Sequence, residues 1–322
     1  MILILTDESD AHAEYVIAKL KDRGLKYYRL NLNVDALKCS YLTFKNGSWL
    51  VNSRSGQLHQ EDISCVWCRR PFIELSLEET ICEDNDFKLW KAEWNQTLKG
   101  FYNSIKHLPW LNPLRKAYKG ENKYFQMDLA YQIGFVMPET LVSNCKDEIV
   151  NFVARHPSVI MKTMSQEIYK VGDSYQGLYT NKVTLEDLSS FNTEGENPLV
   201  FQRYIDKQYE VRYTVVGKQH YVCKIDSQKS EIAKSDWRRY DIPHTPHMAI
   251  EAPKNIHDKV TALMESLGLE YGALDFIVDK ENNWYFLEIN CFGQWLWIEQ
   301  LSGLHIADGI VDWLQDHNCQ RC

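Results

Sequence analysis

The apolar residues at the start of the chain follow first a strand pattern and then a helix pattern. Residues 2–5 form a continuous apolar run, which predicts a buried strand. Asp10 stands where a helix N-cap is expected, and Gly24 stands where that helix should end. Between them, apolar positions recur at helical spacing: Ala13, Val16, Ile17 and Leu20. Residues 27–30 begin the next strand, so the opening predicts a strand, helix and strand unit with parallel strands.

Further along, alternation and helical spacing predict a chain of mixed α/β class. Residues 41–58 alternate around Asn46 and Gly47, a dipeptide typical of a tight hairpin turn. The other predicted elements are strands at 63–67 and 158–162 and helices near 86–108, 116–133 and 255–267. We expect three parts, which are residues 1–115, 116–198 and 199–322.

Two late strands carry polar residues that a buried strand should not hold. Residues 271–278 and 284–290 are apolar runs joined by a polar cluster, which predicts a hairpin with Asp275 in its first strand. Glu288 and Asn290 lie two residues apart in the second strand, so they point to one face, and folding back would bring Asp275 opposite that face. The alternative is a polar hairpin with one buried acid, but a buried carboxylate without a partner is costly. Three converging oxygen ligands therefore predict a Mg²⁺ site.

The composition narrows the classes of function. With 322 residues, 44% of them hydrophobic and 25% charged, the chain is typical of a soluble globular protein of two or three domains. The net charge of −8 argues against a nucleic-acid partner. No apolar run approaches the roughly 18 residues of a membrane span, and the first strand is followed at once by Asp7 and Glu8, unlike a signal peptide. We therefore expect a cytoplasmic protein without a membrane partner.

The cysteines offer one alternative interpretation, a zinc site. The chain has nine of them, an odd number without disulfide spacing, which favours reduced thiols. Two Cys-x-x-Cys pairs occur, Cys65 with Cys68 and Cys319 with Cys322. The first pair falls in a predicted strand, where residues three apart face opposite ways, and the second lies in a polar tail. We therefore do not expect zinc.

The pattern of Asp followed by Glu-x-Asn in the last strands resembles the ATP-grasp superfamily. The resemblance implies that Asp275, Glu288 and Asn290 hold two Mg²⁺ ions against the phosphates of ATP. Lys123, at the start of a helix, and Lys162, at the end of an apolar strand, are implied to approach the α- and β-phosphates. The implied fold is an α/β (α+β) ATP-grasp fold with an N-terminal pre-ATP-grasp domain, a small central lid domain and a C-terminal catalytic domain.

A strand in the third part of the chain, Val-Phe-Gln-Arg-Tyr-Ile, resembles the strand on which adenine lies in this superfamily. Backbone groups near Arg203 and Ile205 are implied to contact the adenine edge, with a further side-chain contact from Gln202. Glu210 is implied to bind the ribose hydroxyls, and Arg212 to meet the γ-phosphate. The alternative is an ordinary sheet strand with solvated charges.

Four further segments resemble the microviridin-type peptide maturases, which are the ATP-grasp ligases that make graspetides. They are Val-Trp-Cys-Arg-Arg-Pro at 66–71, Ile-Asp-Ser-Gln at 225–228, Asp-Trp-Arg-Arg-Tyr-Asp at 236–241 and Asn-Cys-Phe-Gly-Gln-Trp-Leu-Trp at 290–297. In that family the strand before Arg69 often ends in an aromatic residue, whereas here it ends in Cys68. The resemblance covers nearly the whole chain.

The resemblance implies a reaction on a ribosomally made precursor peptide with a leader and a core. ATP phosphorylates the side-chain carboxylate of an Asp or Glu, and a Ser, Thr or Lys side chain of the same peptide then attacks, which gives a macrocyclic ω-ester or ω-amide. We expect Arg238 to hold the carboxylate by a two-pronged contact and Asp236 to orient Arg238. A surface salt bridge between them is the alternative. Together with Arg212, these are the candidate catalytic residues of an enzyme that we expect to be a homodimer.

Two other functions share parts of this pattern. An ATP-grasp ligase acting on free amino acids, or one adding glutamate to a protein tail, would have the same nucleotide site. A nucleotide-binding scaffold without catalysis would tend to lose the metal ligands, and this chain retains all three candidates.

Overall fold

The computed structural model of the protein describes residues 1–73, 84–164, 168–171, 174–177, 180–190, 197–229 and 245–318. The described strands form two four-stranded sheets, one five-stranded sheet and two smaller sheets, and helices cover the larger ones. The predicted mixed α/β class is therefore confirmed. None of the helices in these ranges has the length and apolar character needed to cross a membrane.

The N-terminal sheet contains four parallel strands, β1 (Ile2–Thr6), β2 (Tyr27–Asn31), β6 (Cys65–Cys68) and β7 (Trp110–Leu111). Their order is β2, β1, β6 and β7. Helix α1 (Ala11–Asp22) connects β1 to β2 and begins at Asp10, whose side chain accepts hydrogen bonds from two backbone amides of the first turn. The residues that α1 buries are the four predicted from helical spacing: Ala13, Val16, Ile17 and Leu20. The predicted strand, helix and strand unit is confirmed.

A three-stranded antiparallel sheet follows, made of β3 (Tyr41–Lys45), β4 (Ser48–Ser53) and β5 (Gly56–His59). At the turn between β3 and β4, Asn46 has φ 53° and Gly47 has φ 84°. Two successive residues with positive φ are what a type I′ hairpin turn requires. The predicted hairpin is confirmed. The helices around it are α2 (Val34–Lys38) and α3 (Asn85–Ser104).

The prediction of a single helix near 116–133 is wrong, because the chain forms two helices there. Helix α4 (Leu114–Gly120) ends before Glu121, and α5 (Lys123–Ile133) begins after Asn122. Asn122 is the N-cap of α5, and its side-chain oxygen accepts a hydrogen bond from the amide of Phe125 at 3.0 Å. Asparagine favours this capping position over a helix interior, and glycine at the end of α4 is a weak helix former. The predicted helix end at Gly134 is confirmed, since Gly134 is the left-handed C-cap of α5.

The central part contains a four-stranded antiparallel sheet in the order β12, β9, β13 and β8. Its strands are β8 (Thr140–Ser143), β9 (Val159–Lys162), β12 (Asn181–Val183) and β13 (Leu199–Arg203), and helix α6 (Lys146–Arg155) packs on them. A separate antiparallel pair is formed by β10 (Ile168–Val171) and β11 (Ser174–Gly177). The division of the chain at residues 115 and 198 stays a prediction.

The C-terminal sheet is five-stranded and antiparallel. Its strands are β14 (Lys207–Val216), β15 (Gln219–Ile225), β16 (His247–Ala249), β17 (Tyr271–Asp279) and β18 (Trp284–Asn290), in the order β16, β15, β14, β17 and β18. Helices α4 and α5 and helix α7 (Lys254–Leu267) pack against one face. Helices α8 (Leu296–Ser302) and α9 (Ile306–Asn318) join the other face to β1, β6 and α1 of the N-terminal sheet. The two ends of the chain therefore share one hydrophobic core.

Candidate active site

The strands β17 and β18 form the predicted hairpin, and they bring the three candidate Mg²⁺ ligands together. Asp275 is paired with Glu288 in the strand register, and Ala273 is paired with Asn290. The side-chain amide nitrogen of Asn290 lies 3.4 Å from Oδ2 of Asp275 and 3.3 Å from Oε1 of Glu288. The hairpin is confirmed, and the metal-binding role of its side chains stays a prediction.

A β-bulge decides which way these side chains face. The register shifts between Asp275 and Phe276, so that Leu287 is an extra residue between Phe286 and Glu288 on β18. Phe286 and Ile289 both belong to the core beneath α7, although they are three residues apart. If residues 286–288 alternated regularly, without a bulge, Glu288 would lie on the same face as Phe286 and point into that core. The bulge therefore turns Glu288 and Asn290 to the opposite face, which is a common use of bulges beside active sites.

Arg212 pairs with Asp275 on the neighbouring strand. Nη1 of Arg212 lies 2.8 and 2.9 Å from the two carboxylate oxygens of Asp275, and Nη2 donates to the carbonyl oxygen of Gln294 at 3.0 Å. The two side chains are only 6% and 14% exposed. Burial opposes the charge of Arg212, but Asp275 keeps the pKa of Arg212 above its ordinary value. Arg212 therefore fixes the orientation of Asp275, while its predicted contact with the γ-phosphate stays a prediction.

Lys123 contacts the same group of side chains from α5. Its Nζ lies 3.1 Å from Oε2 of Glu288 and 3.3 Å from Oδ1 of Asn290. Burial raises the pKa of Glu288. The positive charges of Lys123 and Lys162 lower it, and so do hydrogen bonds from Lys123 and Asn290. The net result is a pKa below the ordinary glutamate value. Glu288 is therefore ionised at neutral pH, as a Mg²⁺ ligand must be.

Lys162 reaches the same region from the central sheet. It is the last residue of β9, and its Nζ lies 3.4 Å from Oε1 of Gln202 on β13. Gln202 in turn donates to Oγ1 of Thr140 at 2.8 Å. Since Lys162 also lowers the pKa of Glu288, the two lysines act on one carboxylate from two different elements, helix α5 and strand β9.

One cavity of about 1080 Å³ lies between the central and C-terminal sheets. This volume lies just above the usual range for small-molecule sites, about 300–1,000 Å³, and leaves room for a nucleotide. Most of the residues predicted for ATP and Mg²⁺ line it: Lys123, Lys162, Gln202, Arg203, Glu210, Asp275 and Glu288. Ile205, Arg212 and Asn290 do not line the cavity. Arg212 contacts the lining residue Asp275, and Asn290 contacts the lining residue Glu288.

The strand predicted to hold adenine is β13 with the residues after it. The backbone amide of Arg203 donates to the carbonyl oxygen of Glu139 at 2.8 Å, so Arg203 would have to offer adenine its carbonyl group. Ile205 is buried. Glu210, predicted for the ribose, forms a buried ion pair with Lys207 at 2.7 Å. Their nucleotide contacts stay predictions.

Two family models match this chain. The family model of the MvdD pre-ATP grasp domain matches residues 1–118, and that of the prokaryotic glutathione synthetase ATP-grasp domain matches residues 126–234. A RiPP-associated ATP-grasp ligase from Chryseobacterium gregarium, solved in complex with ADP and a leader and core peptide, is 30% identical. The alignment covers 98% of this chain and 96% of that one, with a TM-score of 0.87. This chain belongs to the RiPP-associated ATP-grasp ligases.

Two macrocyclases from Microcystis aeruginosa have the same fold as this ligase. MdnC, solved with its precursor peptide MdnA, is 27% identical with a TM-score of 0.84, over 98% of this chain and 99% of that one. MdnB is 28% identical with a TM-score of 0.78, over 97% of this chain and 98% of that one. A search of curated proteins found no match. The resemblance to graspetide synthetases and the ATP-grasp fold are confirmed, and the chain is an ATP-dependent ligase.

The oxygen atoms of the ligase site suit Mg²⁺. In the described part of the chain, no group of three or more His, Cys, Asp or Glu side chains is arranged to hold a metal ion. The candidate set instead combines two carboxylates with the amide of Asn290, and hard oxygen donors of this kind are those that Mg²⁺ prefers. The buried Arg212 and the nearby Lys123 offset the charge of the carboxylates.

The cysteines of the N-terminal sheet do not form a metal site. Cys65 packs in the core shared with α9, whereas Cys68 packs in the core on the opposite face of the sheet. Burial raises the pKa of the Cys65 thiol to about 11 and also raises that of Cys68, so both stay protonated. The predicted opposite orientation is confirmed. Cys319 and Cys322 lie outside the described residues.

The predicted substrate residues Asp236 and Arg238 also lie outside the described residues. Their roles stay predictions that rest on the family resemblance.

Several side chains that support the ligase site were missed from the sequence. Lys207, at the start of β14, lines the cavity beside Glu210. Its place in the sequence, a lysine at the start of a largely apolar strand, could have marked it as a candidate site residue. Three buried or partly buried side chains bond the backbone around the end of β18: Asn112, Glu121 and Gln126. Nothing in their spacing points to a strand more than 150 residues later.

Proposed function

We propose that this ligase uses ATP and Mg²⁺ to join side chains of a ribosomally made precursor peptide. In the proposed reaction, the γ-phosphoryl group of ATP passes to the side-chain carboxylate of an Asp or Glu, which gives an acyl phosphate and ADP. A Ser or Thr hydroxyl or a Lys amine of the same peptide then attacks the acyl carbon and releases inorganic phosphate. The peptide loses one water for each ω-ester or ω-amide formed.

The observation that carries the proposal is the convergence of cations and carboxylates on one cavity. Lys123 and Lys162 come from two different elements, and both act on Glu288, opposite Asp275 on the hairpin. A site that combines positive side chains with oxygen ligands for a divalent cation suits a polyphosphate, whose charge needs both.

The residues of this chain would divide the work by position. Lys123 and Lys162 would hold the α- and β-phosphates as compact cations. Gln202, Arg203 and Ile205 would hold the adenine, and Glu210 would bind the ribose. Arg212 would keep the Asp275 carboxylate in a fixed orientation through its bidentate contact.

Asp275, Glu288 and Asn290 would hold Mg²⁺ through their oxygen atoms. Bound there, Mg²⁺ would offset charge on the phosphoryl group and align it with the attacking carboxylate. Asn290 presents its nitrogen to both acids and its oxygen to Lys123, so a rotation of its amide would turn Oδ1 to the metal. Arg238, oriented by Asp236, would hold the substrate carboxylate.

The peptide substrate is supported by the relatives. The ligase from Chryseobacterium gregarium was solved with a leader and core peptide, and MdnC was solved with its precursor peptide. Since the alignments cover 98% of this chain, a peptide is favoured over the free amino acid or protein tail of the alternative functions. The homodimer stays a prediction, which light scattering coupled to gel filtration would test.

Mass spectrometry of a candidate precursor peptide tests the proposal. The candidate to look for is a short reading frame beside the gene of this ligase, rich in Thr, Ser, Lys, Asp and Glu. Its peptide is incubated with enzyme, ATP and Mg²⁺. We expect the loss of one water per bond, with one ADP formed for each. Omission of ATP is the matched control. An unmodified peptide, together with ATP turnover stimulated by a free amino acid, would overturn the proposal in favour of the free amino acid ligase.

A further inference from the structure

Among the residues that the structure describes, the strand that carries Glu288 and Asn290 is the last of its sheet, and its outer side meets only an isolated bridge from Val136 to Tyr285. Gln126 of α5 supplies the missing partner at Ile289. Its Oε1 accepts a hydrogen bond from the Ile289 amide at 2.9 Å, and its Nε2 donates to the Ile289 carbonyl oxygen at 2.7 Å. Nε2 also donates to the carbonyl oxygen of Gly120 at 2.6 Å. This one side chain therefore bonds both backbone groups of Ile289, as a neighbouring strand would.

Ile289 is the residue between Glu288 and Asn290. Fixing its amide and its carbonyl group fixes the two peptide planes that join it to those neighbours, and so the directions in which their side chains leave the backbone. Gln126 is 1% exposed, so water does not compete for these bonds. We propose that Gln126 is a positioning residue for the Mg²⁺ ligands Glu288 and Asn290.

Helix α5 makes this role specific to the site. Lys123, three residues before Gln126 on the same helix, contacts the Glu288 and Asn290 side chains themselves. One helical turn therefore holds both the side chains of the candidate ligands and the backbone between them. A shift of α5 would move the phosphate-facing lysine and the metal ligands together.

The residues on either side of α4 extend the same arrangement by one step. Oε1 of Glu121 accepts a hydrogen bond from the Cys291 amide at 2.5 Å. Nδ2 of Asn112 donates to the Cys291 carbonyl oxygen at 2.9 Å and to the Tyr271 carbonyl oxygen at 2.7 Å. Side chains thus bond the backbone on both sides of Asn290, and Gln126 is the one that acts between the two ligands.

The inference rests on the proposed Mg²⁺ site, and it predicts a specific loss. Residues that orient metal ligands typically change metal affinity by about 10–100-fold when they are replaced. For Gln126→Met, which keeps the length of the side chain but removes its donor and acceptor, we expect the Mg²⁺ concentration at half-saturation to rise at least about tenfold. ADP affinity without Mg²⁺ should change less than about twofold, because the adenine and ribose contacts are predicted on β13 and β14.

The experiment measures ADP binding by calorimetry over a range of Mg²⁺ concentrations, and again with EDTA. The matched control is Gln132→Met, on the same helix, where the side chain is exposed and donates to Oδ2 of Asp128 at 3.0 Å. The second variant is Gln126→Glu, which keeps the acceptor for the Ile289 amide. Its Mg²⁺ dependence is scored in the same way if Gln126→Met does not fold.

A rise in the Mg²⁺ requirement for the Gln126 variants alone supports the proposal. It is overturned if the Mg²⁺ requirement is unchanged, or if metal-free and metal-dependent ADP binding fall together, as a purely structural role predicts. It also falls if Glu288→Gln leaves the Mg²⁺ requirement unchanged, since the ligand assignment is then wrong. No peptide is needed, so the substrate proposal can fail in the mass spectrometry while this inference stands.

Discussion

Asp275→Asn is expected to destabilise the folded ligase as well as to disrupt the proposed Mg²⁺ site. Asp275 is the bidentate partner of Arg212, and the two side chains are only 14% and 6% exposed. Asparagine has the shape of aspartate but no charge. The substitution therefore leaves a guanidinium group in a buried site without its counter-charge, close to the cavity where ATP is predicted to bind.

The magnitude follows from this burial. Removing one member of a buried ion pair costs about 3–5 kcal/mol, because the remaining charge stays desolvated. The asparagine oxygen can still accept one hydrogen bond from Arg212, so we expect the lower end, about 3 kcal/mol. Native proteins have a net stability of only about 5–15 kcal/mol, so this loss is large. It should lower the unfolding midpoint by roughly 4 °C, because the unfolding entropy of a chain of this length is about 0.7 kcal/mol/K.

The assay compares thermal and urea unfolding of Asp275→Asn with that of Glu288→Gln. Glu288 pairs with Lys123, and these side chains are 22% and 19% exposed, so we expect a loss of about 1 kcal/mol or less for Glu288→Gln. The double variant with Arg212→Met and Asp275→Asn should lose less stability than the sum of the single variants, because it removes both charges. Equal stability of the two single variants, or additive effects in the double variant, would refute the reasoning.

Three further predictions concern the nucleotide, the pH and the peptide. Lys162→Met should weaken ATP binding about tenfold, because it removes a charge-assisted contact worth about 1.5 kcal/mol. Calorimetry measures this, and Lys218→Met, at an exposed lysine, is the control that should leave ATP affinity unchanged. Equal losses in the two variants would contradict the phosphate assignment. Because the pKa of Glu288 is lowered in the folded state, its charge stabilises the fold fully above the ordinary glutamate pKa, and this contribution is lost as pH falls through the lowered value. The difference in urea stability between the wild type and Glu288→Gln should therefore shrink only in acid, and a difference that is constant down to the acid limit of the fold would argue against this pair. Arg238→Ala should abolish ring formation by mass spectrometry while ADP affinity is unchanged, with Arg238→Lys less severe; a joint loss would place Arg238 in the nucleotide site.

The polar residues of the hairpin could be predicted from the sequence because they interrupt apolar strands. Asp275, Glu288 and Asn290 stand in runs that otherwise bury their side chains, and strand pairing alone brings such positions together. The β-bulge could not be predicted, since Leu287 has no feature that marks an extra residue. The sequence still carries a trace of the bulge. Phe286 and Ile289 are both core residues but lie three positions apart, whereas regular alternation would separate them by an even number.

The side chains that bond the backbone of β18 could not be predicted from sequence spacing, for a different reason. Gln126 lies on a helix of mixed apolar and polar residues, and a glutamine there is compatible with exposure as well as with burial. Its partner is 163 positions away, so only the packing of α5 on β18 reveals the contact. The break between α4 and α5 was missed for a related reason. Asn122 was a visible cap, but the close approach of Gly120 to Cys291, where a Cβ atom would lie 2.8 Å from the sulfur, is a property of the folded chain.

The bonds along the outer side of β18 also bear on self-association. An edge strand with free amide and carbonyl groups is a template on which a second chain can add its own strand, which is a route to aggregation. Here the Phe286 amide donates to the Val136 carbonyl oxygen at 2.9 Å, and the bonds to Ile289 and Cys291 occupy the groups beyond it. The side chains that are proposed to orient the metal ligands therefore also occupy backbone groups with which the strand of a second copy could pair. Variants designed to loosen the site would be expected to reduce solubility as well as metal affinity.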